Sequence, residues 1–142
     1  MAVHEQILMG IRGAKRLYAQ LLEPALKQYG VTQPQADVLL FLRNNPNRDT
    51  AQEICETRGL AKSNASNAID ALAARGWIAR QRDEKNRRLV RLQLRPAAEP
   101  FLRDTLAAQV RFYERLTRGL SPEELASART IFLKIAENLE NC

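Results

Sequence analysis

The chain has 142 residues, enough for one compact domain with a real core and too few for two independent ones. Its 45% apolar and 27% charged residues are those of a folded globular protein rather than a disordered one. No apolar run approaches the ~20 residues of a membrane span, and the N-terminal stretch lacks the pattern of a secretory signal, so no membrane partner and a cytoplasmic location are expected. Two cysteines, Cys55 and Cys142, and a single histidine, His4, supply neither a disulfide framework nor a zinc set. Metal-assisted and Ser-His-Asp or Cys-His chemistry are poorly provided for, so neither an enzyme nor a cofactor or metal site is expected.

From Val3 to about Lys27, Ile7, Ile11, Ala14, Tyr18, Leu21, Leu22 and Leu26 recur at three-and-four spacing, which predicts a helix. Pro24 predicts a bend or break near its end and Gly30 a stop. A second helix restarts with Thr32 as cap and Pro34 in the first turn, turns Val38, Leu39, Phe41 and Leu42 inward, and ends at Asn44-Asn45-Pro46. Two short helices follow. Thr50 and Glu53 form a capping box for the first, Ile54 and Cys55 give it a small apolar face, and Gly59 ends it. The second spans about 61–75. Ala65, Ile69 and Leu72 point inward, while Lys62, Ser63, Asn64, Ser66, Asn67 and Asp70 stay polar.

Trp77 to Arg82 and Leu89 to Arg95 then switch to a two-residue period and read as a hairpin, with DEKN at 83–86 as its turn and Asn86 able to take positive φ. Val90, Leu92 and Leu94 are the expected core face of its second strand. Pro96 opens a long helix to about Arg118 with Leu102, Leu106, Val110, Tyr113 and Leu116 in register, and Gly119 breaks it. Ser121, Pro122 and Glu124 start a last helix carrying Leu125, Ala128, Phe132, Ile135 and Leu139 near heptad spacing.

The charge is localised. Residues 60 to 95 hold Lys62, Arg75, Arg80, Arg82, Lys85, Arg87, Arg88, Arg91 and Arg95 against Asp70, Asp83 and Glu84, and so carry the whole net charge of +6. Such focusing attracts a polyanion and weakens as salt shortens the screening length. Taken singly, a Ser/Asn/Lys helix start is ordinary capped surface, and an Arg-rich hairpin is an edge protected by charge. Adjacent, and holding all the net charge, they meet the basic-patch-plus-motif criterion for nucleic-acid binding. Helix, turn, helix and hairpin outline a winged helix-turn-helix over 32–95: a mainly α fold with a two- or three-stranded β wing. The helix at 61–75 is expected in the major groove and the wing at 80–95 on phosphates and the minor groove. Asn64 and Asn67 suit adenine edges, Lys62 suits guanine or phosphate, and Ser63 and Ser66 suit either.

The stretch GLAKSNASNAIDALAARGWIARQRDEKNRRLVRLQL resembles the core of MarR-type transcriptional regulators. Gly76-Trp77-Ile78 matches the family's strand start, and Asp83 to Arg88 its Asp-x-x-Asp-Arg-Arg wing. The resemblance covers nearly the whole chain. It implies that Asp83 braces the wing and that Arg87 or Arg88 enters the minor groove, with Arg80, Arg82 and Lys85 beside them. Two departures stand out: Asn86 replaces an acid, which removes a salt-bridge partner and loosens the tip, and Leu94-Arg95-Pro96 replaces Leu-Thr, so the next helix must be capped differently.

Helix-turn-helix proteins usually pair to read pseudo-palindromes. Ile7, Ile11, Leu116, Leu120, Leu125, Phe132, Ile135 and Leu139, in segments 1–30 and 97–142, are the candidate dimer surface, and the resemblance makes a homodimeric repressor on a pseudo-palindromic double-stranded operator the leading expectation. It also implies a small aromatic or phenolic effector, for which Arg12, Tyr18, Phe41 and Phe112 are candidate lining residues. The family's thiol sensors need a cysteine near the first helix, which Cys55 and Cys142 do not supply, and its zinc sensors need histidines. A non-specific architectural or RNA-binding module is the alternative, and a small enzyme ranks far behind.

Overall fold

A computed structural model describes residues 1–140; Cys142 lies outside them. Six α-helices and one hairpin follow in order: α1 (Val3–Tyr29), α2 (Gln33–Asn44), α3 (Ala51–Arg58), α4 (Lys62–Ala74), β1 (Ile78–Arg82), β2 (Val90–Leu94), α5 (Glu99–Leu116) and α6 (Pro122–Glu140). The architecture is the expected mainly α fold with a two-stranded wing.

Local signals start and stop these helices as anticipated. Gly30 adopts φ 63° after α1, and Gly59 adopts φ 67° after α3, positions where a Cβ would be strained. Thr32 and Gln35 cap α2 reciprocally, as do Thr50 and Glu53 for α3. α1 runs through Pro24 instead of breaking there. Leu22 and Ala25 on either side are buried, and that packing holds the helix across the one amide bond that proline forgoes.

The core lies beneath α2. Ala36, Val38, Leu39, Leu40, Phe41 and Leu42 are all buried, because α3, α4, α5 and β2 pack around this helix. Ile54, Leu72 and Phe101 complete the fully buried centre. Each such side chain contributes about 1.5–3 kcal/mol relative to leaving it in water. Small Ala65 and Ala68 on the inner face of α4 are buried, which lets α4 approach α2 and α3 closely.

β1 and β2 pair antiparallel in the register Ile78↔Leu94, Arg80↔Leu92 and Arg82↔Val90. The third strand is reduced to one bond, from Leu92 N–H to the Asp49 carbonyl at 2.8 Å. The altered strand end resolves as a 3-10 turn, Pro96–Ala98, which leads into α5 with no side-chain cap. Two expectations about the hairpin fail. Val90 is exposed, since it lies too near the tip to reach the core that takes Leu92. Asn86 keeps negative φ, because Asp83 turns the chain with its side chain instead.

The stripe Leu106, Val110, Tyr113 and Leu116 on α5 faces away from the core, which takes Phe101, Leu102, Thr105 and Ala108. Among the described residues α6 buries none of its own.

Candidate nucleic-acid interface

α4 presents a continuous polar arc. Lys62, Ser63, Asn64, Ser66, Asn67 and Asp70 are exposed, while Ala65, Ala68, Ile69 and Leu72 fill the opposite side. Its first turn differs from those of α2 and α3. Ala61 occupies the cap position and no side chain bonds to the leading amides, so the Ser and Asn residues there are not capping groups.

The far end of α4 is fixed to the rest of the molecule. The Arg75 guanidinium donates to the Tyr29 carbonyl at 2.8 Å and the Gly30 carbonyl at 3.3 Å, and lies 3.8 Å from the centroid of the Trp77 ring. Tyr29, Trp77 and Phe101 pack with ring centroids 5.6 to 6.4 Å apart. The Tyr29 hydroxyl donates to Asp104 of α5 at 2.6 Å. The end of α1, the end of α4 and the start of α5 are therefore tied together.

The wing turn is organised by Asp83. Its Oδ1 accepts the amides of Lys85 at 2.8 Å and Asn86 at 3.1 Å, and its Oδ2 accepts Arg91 Nε at 3.0 Å. Those two amides first, and then Arg91, hold its carboxyl below the usual carboxylate range. Asn86 Oδ1 accepts the Arg88 amide at 3.2 Å, so Asn86 shapes the tip through its side chain. Lys85, Arg87 and Arg88 at the tip and Arg82 at the end of β1 are exposed, and none has an ion-pair partner among the described residues.

Arg80 is exposed but ion-paired to Asp70, joining β1 to α4. Because paired residues share a face, Arg80 and Arg82 lie on the same side as Leu92 and Val90, above α4 rather than opposite the core-facing side chains. Arg91, on the other face, bridges Asp83 and Asp49. Asp49 and Arg91 had no local signal in the sequence, being far apart in the chain with no periodic relation. Between α3, α4 and the hairpin lies an open groove of about 960 Å³, with Ala51, Cys55, Ile69, Val90 and Leu92 along its apolar part and Lys62, Ser66 and Arg80 at its rim. Cys55 is half-buried there rather than sealed in the core.

The four expected effector residues are not brought together. Tyr18 and Phe112 meet edge-on, with centroids 5.2 Å apart, and the Tyr18 hydroxyl accepts Gln109 Nε2 at 3.0 Å. Arg12 is exposed on α1. Phe41 is fully buried under α2 and cannot line an open site; its ring carries Arg48 at 5.8 Å. The expected dimer residues Ile7, Ile11, Leu116, Leu120, Phe132, Ile135 and Leu139 all stand exposed, from 41% at Leu120 to 70% at Leu139, whereas Leu125 is half-buried. Met9, Ile131 and Leu133 are exposed apolar residues of α1 and α6 and were not anticipated. Among the described residues no three His, Cys, Asp or Glu side chains converge as a metal site, and no helix is long and apolar enough to cross a membrane.

Residues 29–89, which span α2 to the wing, match the model of the MarR family. The chain is 28% identical to the transcriptional repressor MprA of Escherichia coli (strain K12), over 96% of this chain and 80% of that one. Its fold superimposes on a MarR-family transcriptional regulator from Silicibacter pomeroyi with a TM-score of 0.79, at 20% identity, covering 90% of this chain and 86% of that one. It also matches a mutant MarR from E. coli complexed with operator DNA, with a TM-score of 0.68 at 20% identity over 94% and 92% of the two chains.

Proposed function

We propose, from the match of residues 29–89 to the MarR family model and the 28% identity to a transcriptional repressor, that the chain is a MarR-type regulator: a homodimeric, sequence-specific double-stranded DNA-binding repressor released by a small effector. One observation carries this reading: the exposed polar arc of α4 is tied through the Asp70–Arg80 ion pair to a hairpin whose tip cations are exposed, which joins base-reading and phosphate-reading groups. α4 has the width to enter the major groove, where Asn64 and Asn67 can pair bidentately with adenine and Lys62 can donate to guanine. Lys62, Ser63 and Asn64 also leave first-turn amides open to a phosphate. The wing then lies along the backbone, with Arg87 or Arg88 directed to the negative potential of the minor groove.

Pairing follows from the outer helices. Leu116, Leu120, Phe132, Ile135 and Leu139 in one terminal segment and Ile7 and Ile11 in the other stand exposed, and large exposed apolar side chains favour burial against a partner. Covering it with a second copy sets two α4 helices to read two half-sites. A small aromatic effector would act beside the Tyr18–Phe112 pair at the seam of α1 and α5, by preferring one dimer geometry over the other.

Selection of bound sequences from a random duplex pool tests the reading. A pseudo-palindromic motif is expected. Equal recovery of all sequences would instead make the protein a non-specific architectural module.

A further inference from the structure

Arg91 differs from the other cations of the hairpin in facing two acids. Its Nη1 lies 2.8 Å from Asp49 Oδ1, and its Nε and Nη2 both lie 3.0 Å from Asp83 Oδ2. Asp49 immediately precedes Thr50, the residue that caps α3. The Asp49 carbonyl also accepts the Leu92 amide at 2.8 Å, so one residue at the start of α3 holds two consecutive residues of β2, one by side chain and one by main chain. Asp83 organises the wing turn through the amides of Lys85 and Asn86. The guanidinium is thus the link from the turn that carries Arg87 and Arg88 to the segment that starts the helix-turn-helix.

The other face of the hairpin is tied down as well, where Arg80 pairs with Asp70 of α4. Arg80 and Arg91 lie on opposite faces of the hairpin by its register. The wing is therefore gripped from α4 on one side and from the start of α3 on the other. A phosphate approaching Arg91 must compete with two carboxylates already at hydrogen-bond distance, whereas Arg82, Lys85, Arg87 and Arg88 present no such competition.

We propose that Arg91 is a positioning residue, not a DNA contact: bridging Asp49 and Asp83, it sets the angle at which the wing arginines meet DNA relative to α4. The assignment rests on the DNA-binding reading above. A minor-groove contact and a major-groove contact can be made together only if hairpin and helix are held in a set relation, and a bidentate planar guanidinium is suited to fixing one.

A double-mutant cycle on a duplex selected from the random pool tests it, with full-length protein and folding checked by circular dichroism. Arg87→Ala alone should weaken binding by about tenfold. In an Arg91→Ala background the same change should cost less than about twofold, because the tip is already out of place; coupled residues are non-additive in this way. A residue that merely supports the fold, or itself touches phosphate, leaves the two effects additive, and additivity overturns the proposal. Asp49→Asn gives a test of opposite sign, and carries the same cycle should Arg91→Ala unfold. It removes an acid and releases Arg91 from one of its two carboxylates, so simple charge attraction predicts tighter binding. Positioning predicts weaker binding, about fivefold or more, with Arg87→Ala again nearly silent on top. Tighter binding by Asp49→Asn contradicts the proposal. If the wild-type protein selects no duplex at all, the DNA reading itself fails, an outcome distinct from additivity in a protein that binds well.

Discussion

Between Val31 and Ala108 the large apolar side chains mostly end inside: Phe41, Ile54, Leu72 and Phe101 are fully or almost fully buried. From Val3 to Ile11 and beyond Leu116, side chains of the same kind at the same helical spacing stand in solvent, with Phe132 66% and Ile7 54% exposed. Hydrophobicity and periodicity do not distinguish the two regions; the availability of packing partners does. α2 is surrounded by α3, α4, α5 and β2, whereas among the described residues α6 has no fully buried side chain. The winged half completes its core within one chain, with Leu22 and Ala25 from the end of α1. In the proposed homodimer a second copy completes the outer helices, and reading of two half-sites would depend on that completion.

The difference can be broken at its weak end first. Phe132→Glu combined with Ile135→Glu places unpaired charge in the proposed contact, at roughly 3–5 kcal/mol. Sedimentation equilibrium should show the dimer dissociating at least about a hundredfold more readily, while α2 to the wing stays folded. Unchanged association would remove α6 from the interface. In the winged half, Ile54→Ala should cost about 3 kcal/mol by opening a cavity in a fully buried site. Because that core is intramolecular, the loss in denaturant midpoint should not vary with protein concentration; a concentration-dependent loss would show that the two halves are not separable.

The smallest effect sharpens the wing. The Asp83 carboxyl is held low by the amides of Lys85 and Asn86 and then by Arg91. A lowered carboxyl contributes its stability above the ordinary carboxylate value and loses it as pH falls through the lowered one. The brace should therefore be constant from pH 5 to pH 8 and fail only in acid below the usual carboxylate range. A carboxyl-detected NMR titration should show Arg91→Ala moving Asp83 upward without restoring the ordinary value, since the two amides remain. A full return would place the brace in Arg91 alone.

Most of what is local in this fold was legible in the residues. The capping boxes at Thr32 and Thr50, the stop at Gly59, and the inward set Ala65, Ile69 and Leu72 each depend on positions within one or two turns. Pro24 does not break α1, because the burial of Leu22 and Ala25 outweighs one lost amide bond. Val90 misled because alternation marks a face but not how far the core extends beneath it. Counting arginines found the basic surface, but it set Arg80 among the DNA contacts beside Arg87 and gave Arg91 no role beyond its charge. Their partners, Asp70 and Asp49, come from other elements and leave no periodic trace. Phe41 was read as a lining residue only because an aromatic at helical spacing looks the same whether it faces a cavity or fills the core.

The central claim is that α4 reads bases while the wing reads the backbone. Affinities of wild type, Asn64→Ala and Arg87→Ala for the selected duplex and a scrambled one, measured across a salt series, test it most directly. Asn64→Ala should cost about 1–3 kcal/mol on the selected duplex alone, with its salt slope intact. Arg87→Ala should weaken both duplexes alike and flatten the slope by about one phosphate contact. If Asn64→Ala weakened both duplexes equally, or Arg87→Ala left affinity and slope untouched, that division between helix and wing would be contradicted.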